Sequence, residues 1–435
     1  MRFSPIHLID LLRTPAGRHK FLSAWNYISF PLTWPLGMLY RRLVARRVQL
    51  MAVVGSLGKT TTQRSLNLAL NLPQPDGDNK NAWSEVVWSL FRVRPSAKRA
   101  VLEVGIAKPG QMRWYAWMLR PQVTVVTSIA SDHNRSLHTL EITRHEKADM
   151  VRALASDGLA VLNGDDPNVL WMRGQTRARV ITFGFDAEND VRAEDWQVEW
   201  PQGMRFVVRI GERRWTVRAR LFGRHMVYPL LAALAVAHAE GADMDAAVTG
   251  LAALAPEHGR MEMIALPGGA WVLADDFKGS QESMFAALEA LGDIPASRRL
   301  AVLGEISEPV GSLHELYRVL GALAGRHTNR LILTGCSGRM KDLRQGALRT
   351  GFREEHIAIA TDNKISQIAT LLEKELRPGD LVLVKGRGQQ RLRRVVLRLQ
   401  GRTVRCDIPV CGVNGLKCED CPMLERGWEG LRAAT

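Results

Sequence analysis

Cysteine is scarce in this chain and unevenly placed: of five in 435 residues, four fall between Cys406 and Cys421. Proline is also sparse, at 19, and apolar residues make up 46% against 24% charged. These shortages exclude a disordered, collagen-like or low-complexity chain, because there is ample apolar surface to bury. The first residues lack a basic start followed by an apolar run and a small-residue cleavage site, so no secretory leader and a cytoplasmic location are expected. In a reducing compartment clustered cysteines read as metal ligands rather than disulfides, while Cys336, alone in an apolar run, reads as a buried small hydrophobe. Acidic residues are short as well, 44 against 59 Lys and Arg, a net charge of +15. Residues 1–50 carry +7 and residues 387–435 carry +5, which leaves +3 for the middle. A core of ordinary charge with two basic ends argues against a dedicated nucleic-acid binder, and no specific nucleic acid is expected as a partner.

Charge is absent altogether from Phe21 to Tyr40. This stretch is rich in aromatics (Trp25, Tyr27, Phe30, Trp34, Tyr40) and is bounded by Arg18 and Lys20 on one side and Arg41, Arg42, Arg46 and Arg47 on the other. Twenty residues would just span a bilayer, yet Pro31, Pro35 and Asn26 interrupt the run. Aromatics bounded by arginine suit a membrane interface with anionic lipid, so residues 18–47 are expected to meet the inner face of the cytoplasmic membrane peripherally. A helical hairpin packed on the protein's own domain and a true span are the alternatives.

From Gln49 onward strand-like and helix-like runs alternate, the pattern of a parallel sheet covered by helices. Gln49–Val54, Ala100–Val104, Val123–Ile129 and Leu159–Leu162 read as buried strands, Lys59–Leu70 and Glu141–Ala155 as helices. Between Val191 and Leu221 short alternating runs predict appended antiparallel strands. A second α/β unit starts near Glu257, with strands at Trp271–Ala274, Arg299–Leu303, Leu331–Thr334 and Leu381–Val384. Its last helix, about Gln389–Gln400, puts Leu392, Val395, Val396 and Leu399 on one face, with the arginines expected in solvent. The fold class is therefore α/β: a P-loop parallel-sheet domain over 49–256, a smaller Rossmann-like domain over 257–404, an aromatic and basic segment over 1–48, and a four-Cys tail over 405–435.

The sharpest motif is Gly55-Ser56-Leu57-Gly58-Lys59-Thr60-Thr61, between a strand and a helix. Glycines let the backbone wrap a phosphate, and the helix N-terminus aims its N–H groups at the anion. Lys59 would neutralise β and γ phosphates and Thr60 offers a hydroxyl to Mg²⁺. Glu103, at the end of the second strand, faces the crevice where ligands bind in such sheets and could complete the magnesium shell. His133 lies in a loop past the next strand, and Lys147 follows fourteen residues later on a helix.

Together, in order, these residues resemble the Mur ligase family, and within it the branch that adds D-alanyl-D-alanine (MurF-like). The family's Gly-x-x-Gly-Lys-Thr loop matches Gly55–Thr60, its Glu-x-Gly matches Glu103 and Gly105, its metal-ligand histidine matches His133, and its carbamylated lysine matches Lys147. Further matches are Leu162–Pro167, Gly223–His225, Gly259–Glu262, Asp275 to Ser283, Val302–Glu305 and Val382–Gly386, so the resemblance covers about residues 50–400. It implies ATP-dependent amide formation in peptidoglycan precursor synthesis: a small-molecule carboxylate takes the γ-phosphate of ATP as an acyl phosphate, and the amine of an amino acid or peptide displaces phosphate. By the resemblance Lys59, His133, Lys147 and Lys278 are catalytic. Gly55, Ser56, Gly58, Lys59, Thr60, Thr61, Arg260 and Asp276 hold ATP, with Arg260 at the γ-phosphate and Asp276 at the ribose. Thr60, Glu103, His133 and Lys147 hold Mg²⁺. The sequence departs from the family in three places. The adenine-side His-Asn-x-x-Asn reads His225-Met226-Val227-Tyr228-Pro229. The glycine-rich stretch after the metal histidine reads Asn134-Arg135-Ser136-Leu137-His138. Only about 48 residues precede the loop, so the family's N-terminal uridine-nucleotide-binding domain is not expected.

Cys406, Cys411, Cys418 and Cys421 offer four thiolates, enough for one tetrahedral Zn²⁺ or a [4Fe–4S] cluster, with free thiols as the alternative. Two other functions stand beside the muramyl ligase: an accessory ligase of a natural-product, polymer or lipid-conjugate pathway, and a non-catalytic nucleotide-binding protein docked on a membrane.

Overall fold

The computed structural model describes residues 15–75, 81–131, 137–361, 363–413 and 416–427. Two compact units result, one from Trp25 to Ala255 and one from Pro256 onward that also takes in the residues before Trp25.

The first is built on an eight-stranded sheet of order β2-β1-β3-β4-β5-β6-β7-β8. Strands β1 (Gln49–Val54), β2 (Arg99–Glu103), β3 (Val123–Val126), β4 (Leu159–Asn163) and β5 (Arg179–Gly184) run parallel. Their near-continuous Val, Leu and Ile runs suit strands covered on both faces. Strands β6 (Val191–Glu199), β7 (Gly203–Ile210) and β8 (Arg213–Ala219) extend the sheet, and the pairs β6–β7 and β7–β8 are antiparallel. The helix Val227–Ala239 is apolar on nearly every side and buried along most of its length, as its sequence demands. Strand register positions the site. Val53 lies beside Glu103 and Val54 beside Val126, so the loops that leave β1, β2 and β3 emerge level with one another.

The second unit holds a six-stranded sheet of order β13-β12-β11-β14-β10-β9. The strands are β9 (Glu262–Ala265), β10 (Trp271–Asp275), β11 (Arg298–Leu303), β12 (Arg330–Gly335), β13 (Ile357–Thr361) and β14 (Asp380–Lys385). All pairs are parallel except β9 with β10. Sequence patterning does not reveal β9 and β13, which are short and lie at the two sheet edges, where alternation is weakest.

Three expectations are corrected. The run Phe21–Tyr40 is neither a hairpin nor broken at its prolines: Pro15–Leu39 is one helix with Pro31 and Pro35 inside it. Among the described residues no helix is long and apolar enough to cross a membrane. Cys336 is exposed, because the strand ends at Gly335 and Cys336 is already the cap of the next helix. In the last helix, Arg393–Leu399, the arginines do not all face solvent: Arg393 and Arg394 are buried. Arg394 donates to the carbonyls of Gln390, Ile408 and Cys406 at 2.9, 2.9 and 3.0 Å, so the cysteine-bearing tail covers what the sequence presents as a polar face. Arg393 pairs with Glu262 and Glu419.

In the tail, among the described residues no three His, Cys, Asp or Glu side chains are arranged to hold a metal ion, so the fold lends no support to the four-thiolate centre. The sulfurs do lie near one another, Cys418 facing Cys411 and Cys421 facing both Cys406 and Cys411. Cys406 is buried with its Sγ 3.3 Å from the Arg394 guanidinium, the Cys411 N–H is tied to Gln389 O, and burial pushes the Cys418 thiol up to about 12, which keeps it protonated.

Candidate active site

The loop after β1 is shaped by two glycines. Gly55 has φ of +147° and Gly58 φ of +80°, and Gly58 caps the helix Lys59–Ala69 in the left-handed conformation. A Cβ on Gly55 would come within 1.9 Å of Thr127 Oγ1. That closeness is how the loop is pinned: the Thr127 hydroxyl donates to Leu57 O at 2.6 Å, Ser56 N–H donates to Ser128 O at 2.8 Å, and Leu57 N–H donates to Ser128 Oγ at 3.1 Å. The sequence signal for these braces is weak, since Thr127 and Ser128 merely end a strand-like run; the observed β3 stops at Val126 so that they can turn and meet the loop.

Lys59 is buried, and its Nζ donates to Gly55 O at 3.0 Å and Ser56 O at 3.1 Å. The ammonium thus sits within the loop that it belongs to. Thr60 Oγ1 donates to Glu103 Oε2 at 2.8 Å, which joins the loop after β1 to the end of β2. The other Glu103 oxygen accepts from Asn81 Nδ2, a residue that no sequence pattern marks. Thr61 is buried in the first helical turn.

Lys147 arrives from the helix Leu140–Arg152, whose start is capped by the Thr139 side chain accepting from Ile142 N–H. Only 3% of Lys147 is exposed. Its Nζ donates to Ser56 Oγ at 2.8 Å, and Ser56 Oγ in turn donates to Ala130 O at 3.0 Å. A lysine ninety-one residues away in sequence therefore ends on the phosphate loop, beside the segment that leads toward His133. His133 itself lies outside the described residues.

The motif Leu162–Pro167 proves to be a brace. Asn163 Nδ2 donates to Thr127 O at 2.9 Å, while Asp166 accepts from Ile129 N–H at 2.8 Å and caps the following turn. Burial raises the Asp166 carboxyl above the usual range, countered by its backbone N–H bonds and the nearby Lys147.

At the positions of the family's adenine-side amides the chain has Met226 and Pro229, with Tyr228 between them. Pro229 packs toward Gly58. Tyr228 OH donates to Asp165 Oδ2 at 2.9 Å, its ring meets Phe185 edge-on at 5.4 Å, and the Arg224 guanidinium lies 4.1 Å over Phe185. Burial and the Asp165 carboxylate hold the Tyr228 phenol above its ordinary range, so it stays a donor. Sequence reasoning saw only the lost amides; the replacing cluster joins residues from three separated segments and leaves no local signal.

In the second unit the Arg260 guanidinium lies 4.5 Å over the Phe277 ring. Asp276 is buried, its Oδ1 has no hydrogen-bond partner, and burial pushes its carboxyl up to about 7. Lys278 shares this loop, which Lys385 braces by donating to Lys278 O at 3.0 Å while ion-paired to Asp275. The predicted residues thus fall in two sets: Lys59, Thr60, Glu103 and Lys147 around one loop, and Arg260, Asp276 and Lys278 around another.

Two family models match the chain: the Mur ligase middle domain over residues 53–237, and the Mur ligase glutamate ligase domain over residues 259–388. The UDP-N-acetylmuramoyl-tripeptide–D-alanyl-D-alanine ligase of Mycobacterium tuberculosis H37Rv is 30% identical over 364 residues, covering 79% of this chain and 71% of that protein. The enzyme of the same name from Bacillus subtilis is 24% identical, covering 83% and 77%. Among solved structures, MurF from Acinetobacter baumannii superposes with a TM-score of 0.75 at 22% identity, covering 86% of this chain and 81% of that one. MurF ligase from Thermotoga maritima in complex with ADP gives 0.74 at 21% identity, covering 86% and 84%.

Proposed function

The chain belongs to the Mur ligase family and is an ATP-dependent ligase, and we propose that it joins the free carboxylate of a UDP-linked muramyl tripeptide to the amine of D-alanyl-D-alanine. The observation that carries this reading is the convergence of Lys59, the Thr60–Glu103 pair and Lys147 on one glycine loop. The substrates come from the names of the relatives, which match this chain over most of their length.

The chemistry asks for cations, because a carboxylate and a triphosphate repel each other on approach. Lys59 is placed to leave the Gly55 and Ser56 carbonyls for the β and γ phosphates, while loop N–H groups hold the remaining phosphate oxygens. Thr60 Oγ1 and Glu103 Oε2, two hard oxygens 2.8 Å apart, fit Mg²⁺, which takes few protein donors and completes its shell with phosphates and water. When bound, Mg²⁺ would offset charge on the transferred phosphoryl group. We assign Lys147 as a carbamate: its ammonium gives up two protons as the nitrogen bonds to CO₂, so a buried cation becomes an anion that, with His133, would hold a second Mg²⁺. Arg260 serves the γ-phosphate, Asp276 the ribose and Lys278 the reacting carboxylate. The amine then attacks the acyl phosphate, the C–N bond forms as the C–O bond to phosphate breaks, and phosphate leaves.

The test is ADP release by the purified chain with Mg²⁺, ATP, UDP-muramyl-tripeptide and D-alanyl-D-alanine, with products weighed by mass spectrometry. ADP release that needs both substrates, and a product lighter by one water than their sum, is expected. ATP binding without ligation would overturn the substrate assignment.

A further inference from the structure

Among the described residues, the helix Pro15–Leu39 packs one apolar side into the fold and leaves a second one exposed. Its inner side is fixed by specific contacts. Ser29 and Thr33 hydroxyls meet Ser84 Oγ at 3.1 and 3.0 Å. Trp34 Nε1 donates to Trp114 O at 3.0 Å, Asn26 donates to Glu85 at 2.9 Å, and Gly37 lies close against Met118 and Val87. Just beyond, Tyr40 OH donates to Val93 O at 2.6 Å and the buried Arg41 donates to Leu119 O at 2.8 Å. The helix is thereby locked about its axis.

That lock turns a second stripe outward. Trp25, Ile28, Leu32, Leu36 and Leu39 are 54–74% exposed. At about 100° per residue they fall within roughly 80° of arc, and Leu43 and Val44 continue the exposure past the helix. Trp114 and Trp117, whose rings lie 4.8 and 5.8 Å from Trp34, are about half exposed beside it, as is Trp88. A contiguous apolar face of this size is uncommon on a protein with nothing to cover it.

Charge says what covers it. The segments that build this side, residues 25–48, 83–99 and 106–120, hold four, four and three Lys or Arg respectively, and a single surface acid, Glu85, already bonded to Asn26, with Glu103 turned inside at the phosphate loop. Arg42, Arg46, Arg47, Arg92 and Arg113 are exposed. A second copy of the chain would bring like charges face to face, which disfavours self-association. Tryptophans bordering a Leu and Ile stripe, rimmed by arginine with only Glu85 and Glu146 as nearby acids, each already hydrogen-bonded, match a bilayer surface rich in anionic lipid.

We propose that this face is a membrane-docking surface, with the helix from Trp25 to Leu39 lying in the plane of an anionic bilayer and its outer stripe among the acyl chains. The helix lies on the surface and does not span, consistent with its hydropathy. Docking is independent of which acid and amine the ligase joins.

The test uses the full chain and extruded vesicles, either equal parts phosphatidylglycerol and phosphatidylcholine or phosphatidylcholine alone, read by flotation and by the blue shift of tryptophan emission. Binding to the anionic vesicles is expected, at least about tenfold stronger than to the neutral ones and weakened by raising salt. The double variant Leu32→Glu/Leu36→Glu changes only exposed positions. It should keep its melting temperature and ATP binding while losing about 100-fold in vesicle affinity. Failure of the wild type to float with anionic vesicles, or flotation of the double variant as strong as wild type, overturns the proposal. So does a wild-type dimer that the double variant converts to monomer, since the face would then belong to a second copy.

Discussion

Replacing Gly55 with alanine tests whether the phosphate loop acts as a fixed cradle. The native φ of +147° is open in practice to glycine alone, and holding another residue there costs about 1–3 kcal/mol. The new Cβ would also fall 1.9 Å from Thr127 Oγ1 and 3.1 Å from the Ser128 backbone nitrogen. Thr127 cannot turn aside without giving up its 2.6 Å bond to Leu57 O, a loss of about 1 kcal/mol. The sum, roughly 2–4 kcal/mol, corresponds to a fall in melting temperature of roughly 5–15 °C for a unit of this size. The alternative is that the loop itself moves. A shift of about 1 Å in the donors around the phosphates is worth on the order of 100-fold in turnover. Gly211→Ala is the matched control, because Gly211 also has positive φ, +58°, but nothing lies within 4 Å of a Cβ there. It should lose about 1–2 kcal/mol of stability with no change in ATP affinity. The measurements are thermal unfolding, calorimetric titration with ATP, and ADP release with both substrates. A Gly55→Ala variant that binds ATP and turns over like wild type would refute the rigid cradle.

Lys147→Ala should cut turnover by at least about 100-fold, the scale seen when one pre-placed electrostatic group is removed, and depleting dissolved CO₂ should lower wild-type activity reversibly; full turnover of the variant in an ADP-release assay excludes the carbamate role. Arg394→Met leaves four carbonyls, of Gln390, Arg391, Cys406 and Ile408, short of a donor, and denaturant titration should show a loss of about 3–5 kcal/mol; a change near zero would mean that the tail does not depend on the guanidinium. For Asp276, burial raises the carboxyl to about 7, so the folded state keeps a proton that the unfolded chain releases near pH ~4. Its contribution to stability is whole below that point and lost as pH rises through about 7, on the order of 4 kcal/mol at most. Asp276→Asn should remove that slope in unfolding measured without nucleotide, and an unchanged difference between pH 4 and 7 would count against it.

Much of this protein was legible along the chain because its signals are local. A Val- and Leu-rich run followed by Gly-x-x-Gly-Lys-Thr needs only adjacent residues to specify a strand, a wrapped turn and a helix start, and β1 and the helix Lys59–Ala69 lie where that pattern puts them. The motif order from Gly55 to Gly386 likewise marked the family and both α/β units before any contact was known. What required the tertiary structure was every property set by neighbours distant in sequence. Arginines on the last helix look solvent-bound by periodicity, but tail carbonyls cover Arg394. Four cysteines within sixteen residues look like a metal site, yet among the described residues no such group is arranged to hold one, and Cys406 meets the Arg394 guanidinium. Lys147 reaches Ser56, Asn81 reaches Glu103, and Tyr228 reaches Asp165 only because parallel strands bring their loops out at one level. Composition determined that residues 21–40 would be apolar and uncharged; which side of that helix is buried, and that a second apolar side remains exposed, was decided by the serine, threonine and glycine contacts that fix its rotation.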